Sequence, residues 1–193
     1  MARQAAGPGF NYCFFMFTSR AFRTVFSVGL LTLAACGRAA DEAPASPGLL
    51  YRQLLRTIYR HTVPTVPAAG LARELAQPAP PLLLDVRTTA EFRVSHLAGA
   101  RFVDFDSVAT AQFADLPRDQ PVVVYCSVGL RSERLGERLH ALGFQHVRNL
   151  YGGLFEWVNE GQPVYNAAGP TADVHPYSAF WGSWLKRGRK TYD

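Results

Sequence analysis

One stretch of this 193-residue chain gathers residues suited to nucleophilic chemistry: Tyr125-Cys126-Ser127-Val128-Gly129-Leu130-Arg131-Ser132. The chain has three cysteines, Cys13, Cys36 and Cys126. If it is cleaved before Cys36 and that residue is capped, Cys126 has no partner for an internal disulfide. An unpaired thiol in an oxidising compartment is a liability unless it is buried or used. Burial as a small core residue is one fate, but the surroundings of Cys126 point to use. The run Pro121-Val122-Val123-Val124-Tyr125 reads as a buried strand, and a helix begins within five residues of Cys126. The connecting loop must turn sharply, and Gly129 permits the backbone angles this needs. Its N–H groups would point inward at the sulfur as an anion-binding nest. The helix N-terminus adds a partial positive charge and Arg131 a full one. Each favours the thiolate, the attacking species in sulfur chemistry. Cys126 is therefore the candidate nucleophile. Ser127, Val128, Gly129, Leu130, Arg131 and Ser132 are the candidate substrate- and anion-binding loop.

Other elements must hold that loop. Apolar residues make up 48% of the chain and charged residues 18%, enough for one real core and unlike a disordered chain. Leu50, Leu54, Leu55 and Ile58 recur at helical spacing with Arg52, Arg56 and Arg60 on the opposite stripe. This predicts an amphipathic N-terminal helix that packs on the domain; a lipid surface is the alternative. Ala68 to Ala76 read as a second short helix, and Leu82 to Val86 as a buried parallel strand. Thr88 to Ser95 read as a helix capped by Thr88 or Thr89, and Ala100 to Phe105 as a strand. Leu135, Leu139 and Leu142 give the buried face of the helix after Cys126, which Gly143 stops. His146 to Leu150 read as a last strand, and Gly152-Gly153 introduce a helix with Leu154, Phe155 and Trp157. Strands alternating with helices predict an α/β fold with a parallel sheet. In such sheets ligands bind beyond the carboxyl ends of the strands, where Cys126 falls.

The first 35 residues differ from the rest. They carry Arg3, Arg20 and Arg23 and no acidic residue. From residue 36 onward, seventeen basic side chains face fifteen acidic ones, a net charge of +2, too small to point to nucleic acid. Arg20 and Arg23 precede the apolar run Val25 to Ala35, which has the length of a secretory signal and is too short to span a membrane. The signal is complete without residues 1–15, so Met16 is an alternative start. The sequence Leu33-Ala34-Ala35-Cys36-Gly37 resembles a bacterial lipobox, which implies a lipid on Cys36. An acid-free, Arg-bearing leader also suits a mitochondrial transit peptide. The lipobox reading implies a lipid-anchored domain on the periplasmic side of the cell envelope. The absence of an acidic residue after Cys36 favours the outer membrane. The expected organisation is a signal peptide over 1–35, a lipidated cysteine and Pro/Ala-rich tether over 36–48, and a helical segment over 49–64.

Three motifs carry a resemblance to a known family. Leu83-Leu84-Asp85-Val86-Arg87, with Glu91-Phe92 and Ser95-His96-Leu97-Ala98-Gly99-Ala100, resembles the opening of a rhodanese domain. Val123 to Ser132 resembles its active-site loop, and Tyr151-Gly152-Gly153, Trp157 and Gly161-Gln162-Pro163-Val164 its ending. The resemblance covers residues 65–166. It implies a rhodanese-like α/β fold, a central parallel sheet of about five strands flanked by helices. It also implies sulfur transfer. Cys126 would take the outer sulfur of thiosulfate or a persulfide, hold it as a persulfide, and pass it to cyanide or a thiol. No cofactor or metal is implied, and His61, His140, His146 and His175 show no metal-ligand spacing. Related cysteine phosphatases place the arginine six positions after the cysteine. Here Arg131 lies five positions after Cys126, a shorter loop that favours sulfur over phosphate. A module that carries sulfur or binds a partner without turnover is the alternative.

Asp85, Arg87 and Glu91 are expected to support the site. Asp85 would brace the loop by accepting its backbone hydrogen bonds, and Arg87 and Glu91 would pair locally or with Arg131. His96 is expected to be a packing and hydrogen-bonding residue of its turn, and Trp157 a core residue. Residues 167–193 form an aromatic and basic C-terminal tail, expected to pack on the domain.

Overall fold

Short apolar strands joined by helices pair in parallel, because each crossover returns the chain to the same edge of its strand. The computed structural model describes residues 48–107 and 110–192. In it β1 (Thr65–Val66), β2 (Leu82–Asp85), β3 (Arg101–Phe102), β4 (Val122–Tyr125) and β5 (Val147–Leu150) form one parallel sheet of five strands, in the order β1-β5-β4-β2-β3. This is the rhodanese-like α/β sheet that the sequence predicts. The signal peptide, Cys36 and most of the tether lie outside the described residues. Among the described residues no helix is long and apolar enough to cross a membrane.

The central strand β4 is buried on both faces: all four of its residues are fully inaccessible. Alternation sends Leu83, Val123 and Tyr125 to one face and Leu84, Val122 and Val124 to the other. The first face is covered by α1 (Leu49–Ile58), α2 (Ala68–Leu75) and α5 (Gly153–Asn159), and by Val174 and Leu185 from the C-terminal segment. The second is covered by α4 (Leu130–Ala141), which places Leu135 and Leu139 against Val124. Gly143, at φ 90°, ends that turn as expected.

The buried stripe of α1 is shifted from the leucine pattern. Leu50 is 69% exposed, whereas Tyr51 and Leu55 are buried with Tyr59 just beyond the helix. The tyrosines win these positions because their hydroxyls reach backbone partners, Tyr51 on the Gly152 carbonyl and Tyr59 on that of Val128. The strand expected over 100–105 is shorter than its pattern. After Phe102 the chain leaves the sheet, and the Asp104 carboxylate closes a turn by accepting from the Asp106 N–H.

Residues after Gly161 add structure that period-2 patterning does not signal. β6 (Val164–Asn166) and β7 (Gly169–Thr171) form a hairpin, and β8 (Asp173–Val174) pairs in parallel with β9 (Arg189–Lys190). Between β8 and β9 lies the one-turn helix α6 (Ala179–Gly182), with Ser178 as its cap. Trp184 stacks on Tyr51 of α1 at 5.4 Å. The C-terminal segment is therefore packed on the core.

Candidate functional site

The sheet order places a crevice beside Cys126. From β2 the chain moves outward to β3, and from β4 it moves the other way to β5. Beyond the carboxyl ends of β2 and β4 the connections diverge, which is where open α/β sheets bind ligands. Asp85, Arg87 and Glu91 follow β2, and Cys126 follows β4. Cys126 is 1% exposed. Its sulfur sits in a cavity of about 140 Å³ whose loop side is Cys126, Ser127, Val128, Leu130 and Arg131. Tyr177 and Trp181 form the other side.

Two glycines make the loop possible. Gly129 has φ 100°, and its N–H donates to the Cys126 Sγ at 3.1 Å. A Cβ on Gly129 would fall 1.9 Å from the Tyr59 hydroxyl oxygen. That hydroxyl donates to the Val128 carbonyl at 2.7 Å and accepts from the Gly152 N–H at 2.9 Å. On the other flank, the first turn of α5 donates Leu154 N–H to the Cys126 carbonyl at 2.8 Å and Phe155 N–H to that of Ser127 at 3.0 Å. This approach needs Gly153, because a Cβ there would lie 2.3 Å from the Cys126 carbonyl oxygen.

Ser132 does not line the cavity side by side with the other loop residues. Its hydroxyl lies 3.6 Å from Sγ and donates to Asn149 Oδ1 at 2.8 Å. The Asn149 amide in turn donates to the Gly129 carbonyl at 2.9 Å. Asn149 and Tyr59 are positioning residues that the sequence reading missed. The signals were an Asn inside an apolar strand and a Tyr in phase with Leu55.

Arg131 and Glu91 meet as expected. The guanidinium pairs with both carboxylate oxygens of Glu91, at 2.9 and 3.1 Å, and the Ser127 hydroxyl donates to the same carboxylate. Burial pushes the Glu91 carboxyl up, but Arg131, Arg87 and Ser127 overcome it and hold the group at about 2. Burial works against the Arg131 charge, yet the neighbouring Cys126 sulfur and Glu91 raise its pKa above the ordinary value. Glu91 also caps α3 (Thr89–Val94): Thr88 Oγ accepts from the Glu91 N–H, and the Glu91 carboxylate accepts from the Thr88 N–H.

Asp85 corrects one expectation. It does not take the amides of the Cys126 loop; its carboxylate is filled by Arg87, through the backbone N–H at 3.1 Å and the guanidinium at 2.7–2.9 Å. Both residues are fully buried. Two unscreened charges at that depth demand each other, so the carboxylate is not free for the loop. Arg87 uses its remaining reach on the Ser95 carbonyl and so fixes the end of α3. His96 stacks on Phe92 at 4.0 Å and bonds its carbonyl through Nδ1, a packing role. Trp157 is a core residue whose indole N–H donates to the Pro163 carbonyl.

Chemically, the site offers one buried thiol at the foot of a narrow cavity, an N–H aimed at its sulfur, and a guanidinium at the rim. It suits a small group that gains negative charge next to sulfur. Among the described residues no cluster of His, Cys, Asp or Glu is arranged to hold a metal ion.

The chain is similar to known proteins over this domain. A family model described as "Rhodanese-like domain" matches residues 68–160. A protein named "Sulfurtransferase" from Allochromatium vinosum is 30% identical over 99 residues, which cover 51% of this chain and 92% of that relative. A "Probable adenylyltransferase/sulfurtransferase MoeZ" from Mycobacterium tuberculosis is 32% identical over 82 residues, 42% of this chain but 21% of that longer protein. The crystal structure of a Bacillus halodurans protein, 19% identical, shares the fold with a TM-score of 0.50 over 64% of this chain and 89% of its own. The Allochromatium relative is matched along nearly its whole length, and the family model covers the strands and helices around Cys126: this chain belongs to the rhodanese-like family.

Proposed function

We propose that this chain is a sulfurtransferase that works through a persulfide on Cys126. The observation that carries the reading is the Gly129 N–H, 3.1 Å from the Cys126 Sγ, in a cavity that also presents Arg131. The Cys126 thiolate attacks the outer sulfur of thiosulfate or of a persulfide. The donor S–S bond breaks, sulfite or a thiolate leaves, and the sulfur stays as Cys126–S–S⁻. A thiol or cyanide then attacks that outer sulfur and regenerates the thiolate. The two half-reactions share one covalent intermediate, so ping-pong kinetics are expected. Gly129 N–H and Arg131 stabilise the negative charge as it moves between the two sulfurs. The names of the relatives support sulfur transfer in general.

The proposal extends to location. The basic n-region, the apolar run and the lipobox-like Leu33 to Gly37 support a lipid on Cys36 and a domain tethered on the periplasmic side of the envelope, at the outer membrane. In a bacterial host, the N-terminal peptide of the mature protein would begin at Cys36 with an added diacylglyceryl mass. Cys36→Ala would release the protein from membranes. An unmodified Cys36, or cleavage elsewhere, overturns this part.

The catalytic part is tested by mass analysis of the full chain after thiosulfate or a persulfide donor. The expected result is one added sulfur on the Cys126 peptide, removed by cyanide and absent from Cys126→Ser. A folded protein whose Cys126 alkylates but gains sulfur from neither donor overturns it.

A further inference from the structure

The cavity wall opposite the loop comes from outside the matched residues 68–160. Tyr177 and Trp181 supply it, and they are held there from several directions. Trp184 stacks on Tyr51, Leu185 is buried, and the Asn159 carboxamide oxygen accepts from the Lys186 N–H at 2.7 Å. Tyr177 adopts φ 63°, a region that side-chain-bearing residues rarely occupy, and its N–H donates to His175 Nδ1 at 3.0 Å. Such a conformer persists only where its surroundings over-determine it. Here it brings the Tyr177 ring to 5.1 Å from the Arg131 guanidinium carbon.

The guanidinium of the cavity is then already paired, which leaves the Gly129 N–H to serve one negative charge at the sulfur. Among the described residues Arg131 is the one charged residue lining it, and Glu91 already takes that charge through two oxygens while Tyr177 packs against the guanidinium. The remaining contacts near the mouth are Val128, Leu130, Tyr177 and Trp181. Thiosulfate brings two negative charges into this setting, and an unpaired charge is costly to bury. A small apolar persulfide brings at most one negative charge, meets less of that cost and gains apolar contact. The volume of about 140 Å³ limits its size. A protein cavity of about 150 Å³ accommodates benzene, so the space beside the sulfur suits one aromatic ring or a short alkyl chain.

Resting on the sulfurtransferase reading, we propose that the C-terminal segment makes this site selective for small apolar persulfides and thiols over doubly charged donors, with Tyr177 and Trp181 as specificity-determining residues. The favoured step is Cys126–S⁻ + R–S–SH → Cys126–S–SH + R–S⁻, with R apolar. The bond from Cys126 to the sulfane sulfur forms as the donor S–S bond breaks, and no net oxidation occurs.

Two measurements on the full chain test this. The first is the alkylation rate at Cys126, followed on its own peptide, with iodoacetamide and iodoacetate, near-isosteres that differ in charge. Each rate is normalised to the same reagent on a free cysteine peptide. Iodoacetamide should be favoured by about tenfold or more, because the anion meets a rim whose cation is already paired. Trp181→Arg should narrow the gap several-fold, and Tyr177→Ala, at a half-exposed position, should narrow it by uncovering Arg131. The second is sulfur loading by benzyl hydropersulfide against thiosulfate, which should follow the same order and the same response to the variants. Equal normalised rates in the native protein, or a ratio that neither variant moves, overturn the proposal. If the alkylation gap stands and responds but neither donor loads sulfur, the sulfurtransferase reading falls and takes the substrate class with it, while the charge selectivity of the cavity stands.

Discussion

Two buried glutamates stand on elements that hold the Cys126 loop, Glu91 in α3 and Glu156 in α5, and their surroundings push them opposite ways. Both are at most 1% exposed. Glu91 fills both carboxylate oxygens with Arg131, Ser127 and the Thr88 N–H, and is held at about 2. Among the described residues neither carboxylate oxygen of Glu156 has a hydrogen-bond partner. Burial raises Glu156 first and the Glu160 carboxylate adds to it, against Asn159 and Arg52, leaving the group at about 7. Asn159 can do little, because its amide is committed to the Trp184 carbonyl and the Lys186 N–H. Burial is thus the same in the two places. The difference is whether a partner was folded in with the charge. At the site, charge positions the loop; behind it, charge is tolerated by staying protonated.

The largest effect should come from breaking the satisfied member. Glu91→Ala leaves Arg131 and Ser127 without their acceptor and removes the carboxylate half of the α3 capping box, the acceptor of the Thr88 N–H. It should cost about 3–5 kcal/mol, read as a lower urea midpoint with an unchanged slope. Because the folded pKa lies below the ordinary 4.5, the native pair stabilises the protein above that value. That stability should be lost as pH falls from about 4.5 towards 2, and the variant should lack that part of the acid limb. Glu91→Ala stability within about 1 kcal/mol of the native protein would mean that Arg131 finds another partner and that the contrast is wrong.

Relieving the unsatisfied member should give a smaller effect of opposite sign. The folded pKa of Glu156 is raised from 4.5 to about 7, so the folded state holds a proton that the unfolded chain releases. Native stability should therefore fall as pH rises through that window. Glu156→Met keeps the volume and removes the titration. It should be about 2 kcal/mol more stable than the native protein at pH 8 and much closer to it at pH 5. A gain that is equal at both pH values would assign the effect to packing rather than to the proton.

What could be read from residues alone follows this division between local and distant causes. The order of strands and helices, the Cys126 turn and the cap at Thr88 depend on neighbours in sequence, and they are legible. The pairing of Glu91 with Arg131 is one of two options legible there, since both charges fall in the first turns of helices that follow neighbouring strands. Asp85 was read as a brace for the loop because its place at a strand end was visible while the burial of Arg87 beside it was not. Tyr59, Asn149, Tyr177 and Trp181 act across long separations in the chain, and residue type alone does not say which loop each will touch. The stripe of α1 failed for the same reason: leucines were weighed by hydrophobicity, and tyrosines by nothing that showed their backbone partners.

The smallest effect tests whether Glu156 is raised by burial alone. Glu160 lies one turn beyond Glu156, at the C-cap of α5, and such like-charged pairs cost about 0.2–0.5 kcal/mol. Its own carboxyl is raised, first by burial, and one of its oxygens also lacks a partner. Glu160→Gln removes that charge but leaves Glu156 in place. The protein should gain about 0.5 kcal/mol at pH 8 and nothing at pH 5, and the upper end of the pH window should move to the acid side of 7. A stability curve against pH that superimposes on the native one would show that desolvation sets the Glu156 proton without help from its neighbour. The contrast with Glu91 would then reduce to the partners folded in with the charge, the Arg131 and Arg87 guanidiniums and the Ser127 hydroxyl.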